Sequence, residues 1–228
     1  MNTIRSTAAT VLALALLGAT AGITQARAAD VDPRAQEVIS SPGYLAAHPD
    51  LRFRLLGQEA QQRGRWREAR TFYQQAARYA DKPSQAALAE LVWEGHDEPA
   101  DHALGYVWMD LAAERGGEML LARRENYWNA LTPAERERAV AEGKALYAEY
   151  GDPAAKPRQE REMRDVRQNV TGSRTGDAGL LRSRERGSSG MRNIDPAVYW
   201  QDRFWEPAAY WQWQQEVIEA MGKELAGS

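Results

Sequence analysis

The sequence predicts an all-α protein: a short α-solenoid of about three stacked helix-turn-helix hairpins, followed by a flexible linker and a C-terminal helix. Two observations carry the helices and a third carries their stacking. Leu104, Val107, Trp108 and Leu111 recur at i, i+3, i+4 and i+7, and Ala69, Phe72, Tyr73, Ala76, Ala77 and Ala80 repeat the same 3.6-residue period. Start and stop residues flank these runs: Asp101 as an N-cap, then Gly64, Gly95 and Gly116 as terminators. Shifting the chain by 36 residues sets Leu55 on Leu91, Phe72 on Trp108 and Ala76-Ala77 on Ala112-Ala113, an internal period typical of stacked helical hairpins.

Taken in order, residues 1–28 read as a secretory signal peptide. Arg5 gives a positive start, Val11 to Gly18 the apolar stretch, and Ala26-Arg27-Ala28 a small-residue cleavage site. That stretch is shorter than the ~20 residues a membrane span needs. Residues 29–49, with Pro33, Pro42, Gly43 and Pro49, read as an extended lead-in, and His48 as a surface loop residue. The repeat domain covers 50–152. Asp50 is placed to cap a helix from Leu51 to Arg63, and Trp66 to Ala80 completes the first hairpin. Residues 84–94 and 102–115 form the second, with Leu88, Leu91 and Val92 on one face of its first helix. In the third, Leu120, Leu121, Tyr127, Trp128 and Leu131 precede Thr132-Pro133-Ala134-Glu135, a capping-box start for a helix to about Tyr150. Its charged positions, Glu135 to Arg138, Glu142 and Lys144, suit a terminal cap with a polar outer face.

Residues 153–192 lose apolar character and gain Gly, Ser and Arg, which predicts a basic flexible linker with a helical stretch allowed at 158–168. Residues 193–228 form an aromatic-rich helical segment. Half of the eight tryptophans fall between 200 and 213, so this segment either packs on the repeats or recognises something.

The repeat region resembles a known family. Leu88-Ala89-x-Leu91-x-Trp93-x-Gly95, Pro99-x-Asp101 and Tyr106-x-Trp108-x-x-x-Ala112-Ala113-x-x-Gly116 look like a Sel1-like repeat, a helix-turn-helix unit related to the tetratricopeptide repeat. Leu56-Gly57, Gly64, Ala69, Tyr73 and Ala76 are similar to the tetratricopeptide pattern itself. Ala89, Asp97-Glu98 and Gly105 depart from the usual residues. The resemblance covers about residues 50–151 and implies a scaffold or adaptor that binds other proteins in a concave groove lined by the first helix of each hairpin. On that basis Arg54, Gln58, Glu90 and Glu94 are the candidate groove residues, and Trp205, Tyr210, Trp211 and Trp213 the candidate recognition residues of the tail.

Composition narrows the remaining classes. Net charge is −3, so no global field attracts nucleic acid. The absence of cysteine excludes disulfides, thiolate chemistry and Cys-based zinc sites. His96, Asp97, Glu98, Asp101 and His102 share a loop, but without a helical metal-binding spacing, so no metal and no cofactor is expected. No catalytic constellation stands out. The expectation is a periplasmic or secreted, non-catalytic adaptor for another envelope protein. Two other classes stay open: a glycan-binding module using the C-terminal aromatics, and a cell-wall hydrolase.

Overall fold

A computed structural model of the chain describes residues 33–171 and 194–226, with side chains over 35–168 and 194–220. The expected signal peptide, and the linker from 172 to 192, lie outside the described residues. The twelve described helices are α1 (Pro33–Ile39), α2 (Pro42–Ala47), α3 (Pro49–Gln62), α4 (Trp66–Ala77), α5 (Lys82–Glu94), α6 (His102–Ala112), α7 (Glu118–Ala130), α8 (Pro133–Tyr150), α9 (Asp152–Thr171), α10 (Pro196–Tyr199), α11 (Asp202–Trp205) and α12 (Pro207–Ala226). A 3-10 turn, Ala113–Arg115, follows α6, and no strand occurs among the described residues.

The local signals that define the central helices work as expected. Asp101 accepts a hydrogen bond from the Leu104 amide, and Thr132 and Glu135 close a reciprocal capping box. Gly95 ends α5 in the left-handed conformation, φ 75° and ψ 30°, where a Cβ would also meet the Ala100 backbone. Helix α3 packs on α4, α5 on α6, and α4 on α5. The close approach of α3 and α4 depends on Gly57, since a Cβ there would sit 2.6 Å from the Tyr73 ring. Both α7 and α8 pack on α6, and Arg136 of α8 reaches back over the Trp128 ring.

These helices enclose a first core in which Tyr73, Leu91, Val107, Trp108, Met109 and Leu111 are almost wholly buried. Each such large apolar side chain contributes roughly 1.5–3 kcal/mol relative to exposure.

A second core joins the two ends of the chain. Val38, Tyr44, Ala47 and Leu51 pack against Met163 of α9 and against Tyr199, Phe204, Trp205, Tyr210 and Trp213. Four expectations are corrected here. The extended lead-in at 29–49 is helical over most of its length, because Pro33, Pro42 and Pro49 each occupy the first position of a helix rather than breaking one, and Ser41 caps α2. Residues 153–171 belong to α9 rather than to a flexible linker: Ala155, Gln159 and Met163, spaced by four, form a buried stripe. His48 is completely buried, and Asp50 lies within the first turn of α3 instead of capping it.

Candidate functional site

Of the four groove candidates, Arg54 and Gln58 lie on α3 and Glu90 and Glu94 on α5; Arg123 of α7, 33 residues beyond Glu90, is the partner of Glu90. Their environments differ. Arg54 is buried and gives a two-pronged ion pair to Asp81, with Nε to Oδ2 at 2.8 Å. Asp81 uses the same oxygen to cap α5, accepting from the Ser84 amide at 3.0 Å. Arg54 is therefore a structural cation, and its assignment to the groove surface is corrected. Glu90 pairs with Arg123, the two side chains remaining 19% and 24% exposed. Burial pushes the Glu90 carboxyl upward, Arg123 opposes that, and Glu94 adds to it. Glu94 is exposed and meets His96 Nε2 at 2.6 Å, and Gln58 is half-buried. Of the four, Gln58, Glu90 and Glu94 reach solvent.

The tail residues have a different fate. Trp205 donates its indole N–H to the Tyr199 carbonyl at 2.6 Å and is 3% exposed. Tyr210 is fully buried and donates to Asp50 Oδ2, while Trp213 packs on Phe204. Trp211, half-buried, donates to Glu160 at 2.8 Å and carries the Arg115 guanidinium and the Lys156 ammonium near its ring. These rings are packed into the molecule, which removes Trp205, Tyr210 and Trp213 as a recognition surface and as a platform for sugars.

What the tail covers is one end of the central helices. At that end Lys82 is wholly buried, its ammonium donating to the Leu111 carbonyl, to Gln85 and to Glu114, with Asp152 at 3.1 Å. Arg115 grips Asp152 through two hydrogen bonds of 2.7 and 2.8 Å. Burial alone would raise the Asp152 carboxyl, but Arg115, Lys82 and Lys156 overcome it and hold the group well below the usual carboxylate range. Further along, Ile218 of α12 rests against Gly117 at the start of α7.

Beneath the tail sits His48. Its Nδ1 lies 2.8 Å from the Tyr44 carbonyl and its Nε2 2.8 Å from the Phe204 carbonyl, with the ring stacked on Tyr44. Burial outweighs both carbonyls and lowers the imidazole to about 4, so at neutral pH it donates to one of them at a time. Its neighbour Asp50 is raised to about 6, by burial first and then by Asp81.

The opposite end of the helices carries the turns, and these face solvent. Trp66 stacks on His96 at 4.1 Å, and Trp93 lies between His102 and Tyr127. A shallow cleft runs between Arg65, Trp66, Arg67, Glu68 and Asp97. The polar loop at 96–102 diverges: His96 goes to Trp66, Asp101 to its capping position, and His102 to Trp93 and Glu135. Among the described residues no group of three His, Asp or Glu side chains is arranged to hold a metal ion. Nor is any described helix long and apolar enough to cross a membrane.

Comparison with protein-family models, curated proteins and solved structures finds no match. The site must be read from its own geometry. Among the described residues these buried and half-buried carboxylates have partners within the chain: Asp81 has Arg54, Glu90 has Arg123, Asp152 has Arg115, and Asp50 has Tyr210 through one of its two oxygens. Sequence reading missed Asp81, Lys82 and Gln85, whose partners are Arg54 on one side and Leu111 and Tyr150 on the other. The one available signal was Asp81-Lys82-Pro83, a cap followed by proline.

Proposed function

We propose that this chain is an exported, non-catalytic adaptor of the Sel1-like, tetratricopeptide-related kind. In this reading its helical hairpins stack as a short α-solenoid, and another envelope protein docks along the face of α3, α5 and α7. The observation that supports it is the one-sided placement of the tail. Helices α9 and α12 cover one end of the repeats, while Gln58, Glu90, Glu94 and Arg123 stay in reach of solvent. Solenoids offer extended surfaces of this sort and carry no reaction of their own. On that face Glu90 is matched by Arg123, which favours docking a polar peptide segment by exchange of partners over recognition of a strongly charged one.

The test places a photo-crosslinking residue at Glu94, with Glu142 on the outer side of α8 as the control position, in cells that export the chain. The expected outcome is one protein captured at Glu94 and not at Glu142, whose binding to the purified chain weakens at least several-fold with Glu94→Arg. Crosslinks at Glu94 confined to the chain itself would overturn the docking face.

A further inference from the structure

Helix α3 has an outward face that neither core uses. Phe53, Leu55 and Leu56 belong to no buried cluster among the described residues, and Leu55 is 44% exposed. Phe53, two residues from Leu55 and so on another side of the helix, stacks at 6.5 Å on Phe72 of α4, which packs on the first core. A stack of helical hairpins needs a polar outer face at each end to stay dispersed. The far end has one: on α8 the exposed Val140 is set among exposed Glu137, Glu142 and Lys144. At the near end the exposed Leu55 lies beside the half-buried Leu56, among exposed Arg52, Glu59 and Arg63.

The charges around this patch have a definite arrangement. Arg52 and Glu59 are both exposed, and the point between Leu55 and Leu56 lies midway between them. Among the described residues Glu59 pairs with the exposed Arg63 of its own helix and with no other cation. Arg52 lies over the Phe53 ring at 4.7 Å, and no carboxylate meets it among the described residues. If a second α3 runs antiparallel across the first, with the two-fold axis between Leu55 and Leu56, Leu55 meets the other copy's Leu56 and Arg52 meets its Glu59. Both contacts then occur twice. This self-complementarity is what a two-fold interface requires.

We propose that the chain pairs with a second copy of itself through the outward face of α3, the two helices antiparallel about an axis at Leu55 and Leu56. A two-fold axis uses the same patch on both copies, so assembly stops at two. The pairing is independent of the adaptor reading, since Glu90, Glu94 and Arg123 take no part in it.

The test uses the chain expressed with its leader and purified as the host exports it. Sedimentation velocity across a concentration series is expected to show a monomer–dimer equilibrium. Leu55→Glu should shift it to monomer with the helical circular dichroism and melting temperature unchanged, the site being exposed. Arg52→Glu and Glu59→Arg should each weaken the dimer, and the two together should restore it, because the exchanged charges meet again only across the antiparallel axis. With no cysteine elsewhere, Leu55→Cys should oxidise to a covalent dimer. A wild-type chain that stays monomeric throughout, or a dimer indifferent to Leu55→Glu, overturns the proposal. A double charge swap weaker than either single one overturns the antiparallel arrangement.

Discussion

The two ends of the central helices are built from the same materials, aromatic rings and ion pairs, and use them in opposite ways. At the end beneath α9 and α12, Lys82, Asp152, Arg115 and Trp211 are locked together, and Asp50 and His48 lie inside the protein. At the end bearing the turns, Trp66, His96, Trp93 and His102 form comparable stacks in contact with water. A buried ion pair is hard to remove because its survivor is left without a partner in a medium of low polarizability. A pair in water is worth little, since each charge is almost as well solvated alone. Sequence composition is therefore a poor guide to which end carries stability and which is free to bind.

The sharpest way to break the comparison is at Asp81. Asp81→Ala leaves Arg54 buried without its counter-ion, a loss of about 3–5 kcal/mol, and removes the α5 cap, about 1 kcal/mol more. Urea unfolding should show it as a large drop in midpoint, and a drop no greater than that of an exposed site would mean that water reaches Arg54.

A smaller effect concerns acidity at the same end. The Asp50 carboxyl is raised from 3.8 to about 6, so its contribution to stability is fully present below about pH 3.8 and is lost as the pH rises to about 6. The His48 imidazole is lowered from 6.5 to about 4, so its contribution is present above pH 6.5 and is lost as the pH falls to about 4. The two oppose one another across this window and flatten the wild-type profile. Asp50→Asn removes one of them. The stability difference between wild type and variant should therefore shift in favour of the wild type by on the order of 3 kcal/mol between pH 6.5 and 4. A difference that is constant with pH would show that Asp50 does not titrate in the folded protein.

The smallest effect belongs to the open end. Arg65→Ala breaks the exposed pair with Glu68 and should change stability by less than about 1 kcal/mol in the same unfolding experiment. A larger change would mean that the turns are as tightly built as the covered end.

The sequence made the middle of the fold legible because its determinants are local. The stripe from Ala69 to Ala77, the Asp101 cap and the Thr132 capping box all act within one or two helical turns. It left the ends of the chain illegible for the converse reason. Whether Pro33, Pro42 and Pro49 interrupt or begin a helix depends on what Val38 and Tyr44 can bury against, and that surface is supplied by Phe204 and Trp205. The candidate site shows the same limit. The fate of Arg54 was decided by Asp81, 27 residues away, and that of Tyr210 by Asp50, 160 residues away. No periodicity reports such a partner.

The joining of Tyr210 to Asp50 also sets an order of events. The central helices can condense with neighbours in sequence, but α1, α2 and the start of α3 must wait for a stretch 160 residues downstream. At about 5–20 residues per second that interval is on the order of 10–30 s of synthesis. Until it ends, Val38, Tyr44 and Leu51 lack the Phe204, Trp205 and Tyr210 rings they bury against, so the nascent chain is most vulnerable to aggregation and proteolysis at its beginning. A chain cut short before Phe204 would lack the rings that bury Val38, Tyr44 and Leu51 and would leave its first helices unprotected.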